Sequence, residues 1–274
     1  MKKKLHRLLY VLLVLTLVIS GGFLLYKQIE ARAAAQDYEG ALQAAGIEDL
    51  AAPPAPSTRP SPAPAPGGSG SDQEAEVQEE GDPWLETLRA VDLPALRGVN
   101  SDILGWITIP DTELSYPILA GRDNQYYLNH TWSGERNAAG AIFLEMNCAN
   151  DFSDFNVIIY GHRMHNNMMF GTLRFYEDLN YWAEHPSVYL VSDTGVARYD
   201  IFAAYEAGVR DQTYRLDLAE EEEKQAFIDF CLSSSVLDTG VAPTTSDQIL
   251  TLSTCTRQGG AATRWVVQAV RQTA

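Results

Sequence analysis

The chain contains little cysteine and is short of positive charge. Its three cysteines, at positions 148, 231 and 255, are too few and too widely spaced for a disulfide framework or a cysteine-based zinc site. If the domain is exported, a disulfide bond between Cys148 and Cys231 is possible. With 20 basic and 36 acidic residues the formal net charge is -16, which argues against a nucleic-acid partner because phosphate binding needs clustered Lys and Arg.

Charge is also missing from a long run near the N-terminus. The 19 residues from Leu8 to Tyr26 carry no acidic or basic side chain. At about 1.5 Å of helix rise each they nearly cover a hydrocarbon core of about 30 Å. Basic residues precede the run, at 2–4 and 7, and should stay cytoplasmic. We therefore expect residues 1–27 to be a cytoplasmic tip and a single type II membrane anchor. A cleaved signal peptide ending near Ala33–Ala35 is the alternative.

Residues 28–83 have the composition of a stalk and linker. Seven of the 13 prolines fall between Pro53 and Pro66, and a Gly/Ser stretch and an acidic stretch follow. Such sequence is extended or flexible and holds a domain away from the membrane. Residues 28–50, rich in Ala, Glu and Gln, can continue the anchor as a helix. The folded, extracytoplasmic domain is predicted to occupy residues 84–274.

Short apolar runs rich in β-branched and aromatic residues dominate this domain and indicate strands. Asp82 and Pro83 before them read as the cap and first turn of a short helix. A second helix is predicted over 218–232, where four glutamates, 220–223, favour a helix start. Few helices separate the runs, so we expect a mainly β fold, an antiparallel or mixed barrel. The runs are 103–109, 116–119, 141–146, 157–160, 188–191, 199–205, 249–252 and 265–270.

Cys255 is the candidate nucleophile. It ends the apolar run that starts at Ile249 and precedes a Gly-containing loop, and strand ends hold nucleophiles well because the scaffold fixes the backbone. Taken alone, a single cysteine is more often an inert small core residue, which is how we interpret Cys148 and Cys231.

His162 is the candidate acid/base, because it also closes an apolar run, 155–162, and an imidazole can take the proton of a thiol and later return it. Among the other histidines, His165 lacks partners at metal-ligand spacing. His130 lies among aromatic residues and is interpreted as structural, and His185 before Pro186 as a turn residue.

Arg264 opens the last apolar run, directly after the loop that follows Cys255. A hairpin would bring it back beside the thiol, where a permanently charged guanidinium can stabilise a developing oxyanion. Arg257, two residues after Cys255, is the competing candidate.

Together these motifs resemble the sortase family, and within it class B. The resemblance extends over about residues 84–272, although Arg257 stands where some relatives have an acidic residue. It is carried, in the family's order, by the histidine, cysteine and arginine motifs and by two segments near the start of the domain: 157–162, 251–255, 264–269, 102–107 and 126–130.

The resemblance implies an eight-stranded sortase β-barrel with an N-terminal helix and a helix inserted between strands six and seven, whose insertion lines the substrate groove. It implies a cysteine transpeptidase with Cys255 as nucleophile, His162 as acid/base and Arg264 positioning substrate and oxyanion. Ser253, inside the cysteine motif, is a candidate substrate-binding residue. No metal or other cofactor is expected.

The implied reaction cleaves a C-terminal sorting motif of an exported protein after Thr and joins the thioacyl product to an amine. The expected partners are that protein and a peptidoglycan precursor or pilin amine acceptor, at the cell membrane. A plain extracytoplasmic cysteine peptidase and a catalytically silent β-barrel surface protein are the alternatives.

Overall fold

The computed structural model describes residues 2–47, 82–164, 166–255 and 263–272. Eight strands close into a barrel in the order β1-β2-β3-β4-β7-β8-β6-β5. The strands are β1 (Ile103–Thr108), β2 (Ser115–Ala120), β3 (Ile142–Leu144), β4 (Asn156–Tyr160), β5 (Ser187–Ser192), β6 (Gly195–Gly208), β7 (Ile249–Cys255) and β8 (Thr263–Arg271).

The barrel is mixed, which confirms the predicted fold class. β2 pairs with β3, and β4 with β7, in parallel, while the other neighbours are antiparallel. A parallel pair ends at one edge of a sheet. The carboxyl ends of β4 and β7 therefore meet at the same rim, and β8 begins there because it runs opposite to β7.

Each predicted apolar run overlaps one strand, with differences in length. The third run gives only the three residues of β3, because Glu145 and Met146 leave the sheet into a turn. The sixth run extends to 14 residues in β6, which pairs with β5 over its first half and with β8 over its second. Local pattern marks the centre of a strand, and partners decide its ends.

The core lies inside the barrel and beneath the segments that cover it. Its largest buried side chains include Trp106, Tyr127, Phe143 and Phe170. β4 and β7 are buried along almost their whole length, as expected for strands covered on both faces. This burial gives the rim at their ends a rigid base.

Within the described residues, four short α-helices accompany the barrel: α2 (Pro83–Leu88), α3 (Leu93–Val99), α4 (Leu179–Glu184) and α5 (Glu221–Ser234). The predicted cap of α2 is confirmed, since Asp82 accepts a hydrogen bond from the Trp84 amide at 3.0 Å. α5 lies between β6 and β7 as expected, but it begins three residues later, because Glu220 and Glu223 form a capping box there.

The N-terminal helix, α1 (Lys2–Ala45), is longer than any other helix in the described chain. Within it, Leu9–Ala44 is long and apolar enough to cross a membrane, and its most apolar window is fully exposed. An anchor and a signal sequence both have these properties. The expected helical continuation beyond residue 28 is confirmed up to Ala45. Residues 48–81, which make up most of the predicted stalk and linker (28–83), lie outside the described part.

The second half of α1 lies against the barrel. Its buried face consists of Ala34, Tyr38, Ala41 and Ala45, a spacing of three and four residues that gives one helical stripe. The Tyr38 hydroxyl donates to the Gly140 carbonyl at 2.7 Å. Part of the segment assigned to a stalk is thus packed onto the barrel.

Candidate active site

Three neighbouring strands bring the predicted site residues to one rim of the barrel. Cys255 is the last residue of β7, and it pairs directly with Arg264 in β8. On the other side, Tyr160 of β4 pairs with Ser253 of β7. His162 follows Tyr160 by two residues, as Cys255 follows Ser253, so the backbone register sets the cysteine between the histidine and the arginine.

Gly161 lets the histidine segment stay close to the barrel. Its amide donates to the Ser253 carbonyl at 3.3 Å, which extends the β4–β7 pairing by one bond. A Cβ at this position would meet the Ile142 side chain and, at 2.9 Å, the ring of Phe170. Any larger residue here would displace these side chains, so close packing favours glycine directly before His162.

One ring nitrogen of His162 is fixed by the backbone. Its Nε2 lies 2.7 Å from the carbonyl oxygen of Leu128, and a carbonyl can only accept, so Nε2 carries a proton. The nitrogen that can exchange a proton during a reaction is then Nδ1. The Leu128 carbonyl, which sequence reasoning missed, is thus part of the site.

Behind the rim lies a cavity of about 450 Å³, of the size that takes small ligands or peptide side chains. His162, Ser253 and Arg264 line it. Ser253 is almost fully buried, and its hydroxyl forms a hydrogen bond of 2.9 Å with that of Tyr214. Sequence reasoning missed Tyr214, whose ring also stacks on Tyr160 at 6.4 Å.

The wall contributed by the insertion between β6 and β7 comes from the residues before α5. Val209, Tyr214 and Leu216 line the cavity from this connection. The insertion thus borders the cavity as expected, but through the loop and the short 3₁₀ helix Gln212–Tyr214 rather than through α5.

A buried neutral network, which we call the wall clamp, holds this connection on the barrel. The side-chain amide of Asn156 donates to the carbonyls of Thr213 at 3.1 Å and Arg215 at 2.9 Å. Its side-chain oxygen accepts from the Thr251 hydroxyl at 2.7 Å. The wall clamp, each member at most 2% exposed, comprises Asn156, Thr251, Gln268, Tyr205 and Thr213.

A charged cluster lies on the histidine side, and we call it the histidine support: Glu145, Asn124 and Tyr160. The Glu145 carboxylate accepts from the Asn124 amide at 2.5 Å and from the Tyr160 hydroxyl at 3.0 Å. All three residues line the cavity. Burial first, and then the negative charge of Glu145, raises the pKa of Tyr160 well above its usual range. A lone carboxylate inside the predicted run 141–146 was the signal that could have revealed it.

The two other cysteines are free and buried. The disulfide bond considered between Cys148 and Cys231 is therefore not formed. Burial raises the pKa of each thiol to about 11, because a thiolate is disfavoured away from water. Both thiols therefore stay protonated at neutral pH, as expected of core residues.

The remaining candidates have other contacts or lie outside the described chain. His130 stacks on Tyr126 at 4.0 Å, and His185 caps the end of α4. His165 and Arg257 lie outside the described residues. Among the residues that are described, no group of three or more His, Cys, Asp or Glu has the geometry of a metal site.

Comparison with known proteins adds a family to this geometry. A family model described as "Sortase domain" matches residues 107–272. Sortase B of Listeria monocytogenes is 37% identical over 166 residues, which is 60% of this chain and 67% of that protein. The chain thus spans about two thirds of that relative's length.

Solved structures agree. The Staphylococcus aureus sortase B–substrate complex superposes with a TM-score of 0.62 at 31% identity, covering 66% of this chain and 84% of that one. A sortase B complexed with triglycine superposes with a TM-score of 0.63, also at 31% identity, covering 66% and 85%.

Proposed function

Since the chain belongs to the sortase family and is a sortase B-like cysteine transpeptidase, we propose that Cys255, His162 and Arg264 carry out its reaction. The observation that supports this proposal best is the register of three strands: Cys255 ends β7, Arg264 is its partner in β8, and His162 follows β4 on the other side. A nucleophile between a proton carrier and a fixed cation suits acyl transfer.

In the proposed first step the Cys255 thiolate attacks the carbonyl of the Thr in a C-terminal sorting motif. A carbon–sulfur bond forms, and negative charge moves onto the carbonyl oxygen, where Arg264 stabilises it. The intermediate collapses by breaking the carbon–nitrogen bond, while the imidazolium of His162 gives its Nδ1 proton to the leaving amine. The acyl group is then held as a thioester.

In the second step an amine of a peptidoglycan precursor or pilin attacks the thioester. Neutral His162 takes a proton from this amine, a new amide bond forms, and the carbon–sulfur bond breaks to regenerate the thiolate. Transfer to the amine is faster than hydrolysis by water only if the site positions the amine better than water. A relative bound to triglycine supports a peptide amine as the acceptor class for this chain.

We place this reaction outside the cytoplasm, with α1 as a single uncleaved type II anchor. Basic residues precede the exposed apolar part of α1, and such residues stay on the cytoplasmic side. The packing of Tyr38 and Ala41 against the barrel means that an uncleaved α1 ties the membrane-spanning half directly to the folded domain, whereas cleavage near Ala33–Ala35 would separate the two. Ser253 is proposed to contact the substrate, with Tyr214 fixing its hydroxyl.

The test uses the full chain in detergent micelles, because α1 contributes to the fold. Quenched peptides carrying a library of sorting motifs are incubated with and without triglycine, beside Cys255→Ala, His162→Ala and Arg264→Ala. We expect amine-linked product that disappears with Cys255→Ala and His162→Ala and falls about 100-fold or more with Arg264→Ala. Cleavage indifferent to triglycine would indicate a peptidase, and no cleavage of any peptide a silent barrel.

A further inference from the structure

Glu145 has no role in the reaction described so far, although it lies at the edge of the same cavity. It directly follows β3, and its amide donates to the Ile158 carbonyl of β4 at 2.9 Å, so its backbone is fixed. The residue is only 7% exposed. A buried carboxylate is costly unless it is well hydrogen-bonded, which raises the question of what this one holds.

Its two oxygens are fully used. One accepts from Asn124 and Tyr160, and the other from the side-chain amide of Asn147 at 2.7 Å and from the backbone amide of Asn147 at 3.3 Å. Asn124 is fixed at its other end, since its side-chain oxygen accepts from the Met146 amide at 2.9 Å. With all these donors satisfied, Glu145 serves as a junction between segments and not as a ligand for substrate.

The segments that it joins are the two that hold His162. Tyr160 is two residues before His162 on the same chain segment. Asn124 begins the turn that leads to Leu128, whose carbonyl fixes Nε2 of His162 at 2.7 Å. Asp123 stiffens this turn by accepting from the Gln125 and Tyr126 amides, each at 2.8 Å. A displacement of Asn124 would therefore reach the histidine ring through a short, stiff connection.

We propose that Glu145 is a positioning residue for His162, acting through Asn124 and Tyr160 to set the imidazole for proton exchange with Cys255. This inference rests on the proposed function. It makes the carboxylate necessary for the rate of the chemical steps, and not for the affinity of the sorting peptide, since all its hydrogen bonds are made to the protein itself.

The decisive variant is Glu145→Gln, which keeps volume and shape. A glutamine offers one acceptor oxygen and one donor group, so one of the two donor pairs must face an NH₂ group. We expect kcat to fall about 10-fold or more, because small displacements of catalytic groups strongly lower the rate of the chemical step. KM should stay within about twofold of wild type. Glu177→Gln, which changes an exposed glutamate, is the matched control and should behave as wild type.

Tyr160→Phe provides a second, milder variant that removes one hydroxyl. We expect a smaller loss in kcat, of about threefold, and the double variant should be no slower than Glu145→Gln alone, because the two groups act along one path. If Glu145→Gln does not fold, Tyr160→Phe decides: a lower kcat supports the inference, and an unchanged kcat overturns it.

A separate readout distinguishes failure of this inference from failure of the proposed function. The rate of alkylation of Cys255 by iodoacetamide, followed by peptide mass spectrometry, reports the thiolate without any peptide substrate. We expect Glu145→Gln to slow it in parallel with kcat. Wild type that transfers no acyl group would refute the proposed function. Folded Glu145→Gln with unchanged kcat and unchanged alkylation would refute the positioning role alone.

Discussion

The histidine support carries a charge at the edge of the cavity, whereas the wall clamp is neutral and lies buried between the barrel and the β6–β7 connection that covers it. Glu145 joins segments close to His162 and is 7% exposed, while Asn156 is 1% exposed and joins β4 to the loop before α5. Each of the two sets fixes a different side of the same cavity. We infer from the difference that changes in the wall clamp mainly lower the free energy of unfolding, whereas changes in the histidine support mainly lower the reaction rate.

The largest effect is expected for Asn156→Ala in the wall clamp. Two carbonyls and the Thr251 hydroxyl would lose their partner in a buried place, so the free energy of unfolding should fall by about 3 kcal/mol. Urea unfolding of the full chain in micelles, followed by near-UV circular dichroism, measures it. The control Asn180→Ala changes an exposed residue of α4 and should cost less than about 0.5 kcal/mol. Equal losses in Asn156→Ala and Glu145→Gln would erase the distinction between the two sets.

Thiol labelling compares the reactivity of Cys255 with that of the two buried cysteines, Cys148 and Cys231. At pH 7.5 iodoacetamide should modify Cys255 at least about 100-fold faster than Cys148 or Cys231, because burial raises the pKa of the latter two to about 11. Burial disfavours the thiolate, so their labelling should accelerate as the pH rises toward 11 or when urea unfolds the chain. Rapid labelling of Cys231 in the folded protein would show that the region around the wall clamp opens.

Two tyrosine variants should give opposite results. Tyr205→Phe removes a buried hydroxyl bonded to Gln268 and Thr213, and it should lower the free energy of unfolding by about 1 kcal/mol with kcat unchanged. Tyr160→Phe in the histidine support should lower kcat with a smaller loss of stability. Unfolding curves and steady-state rates on both variants decide, and the comparison fails if Tyr205→Phe is the slower enzyme.

Individual residues show which parts of the site could be predicted from the sequence alone. Cys255, His162 and Arg264 were predicted because each closes or opens an apolar run, and the barrel brings those run ends together. Glu145 was missed because its partner Asn124 is 21 residues away and no local pattern connects them. The network exists only once β3, β4 and the turn before Leu128 are packed.

The packing of α1 was missed for a different reason. Ala34, Ala41 and Ala45 resemble ordinary helix-forming residues, and nothing in an alanine indicates that it will lie against a barrel. Only Tyr38 carries a group that needs a buried partner, and that partner, the Gly140 carbonyl, is 102 residues away. Helix formation could be predicted from local composition, whereas docking depends on a surface that the rest of the chain creates.

The smallest effect is expected for Ser253→Ala. The hydroxyl contacts Tyr214 and lines the cavity, so its loss should raise KM for the sorting peptide about two- to threefold and leave kcat unchanged. Steady-state kinetics measure this, with the exposed Ser101→Ala as control. A change in kcat alone would assign Ser253 to the chemistry of the histidine side instead of to the wall.

The most direct test of the account is to trap the acyl-enzyme. The full chain in micelles is mixed with an intact sorting peptide that it is known to cleave. The reaction is quenched in acid within one turnover and analysed by mass spectrometry. We predict an adduct with the mass of the peptide's N-terminal fragment, mapped to Cys255, that disappears when triglycine is added as an equal amount of amide product forms. An adduct on another residue, or turnover without any adduct on Cys255, would contradict the account.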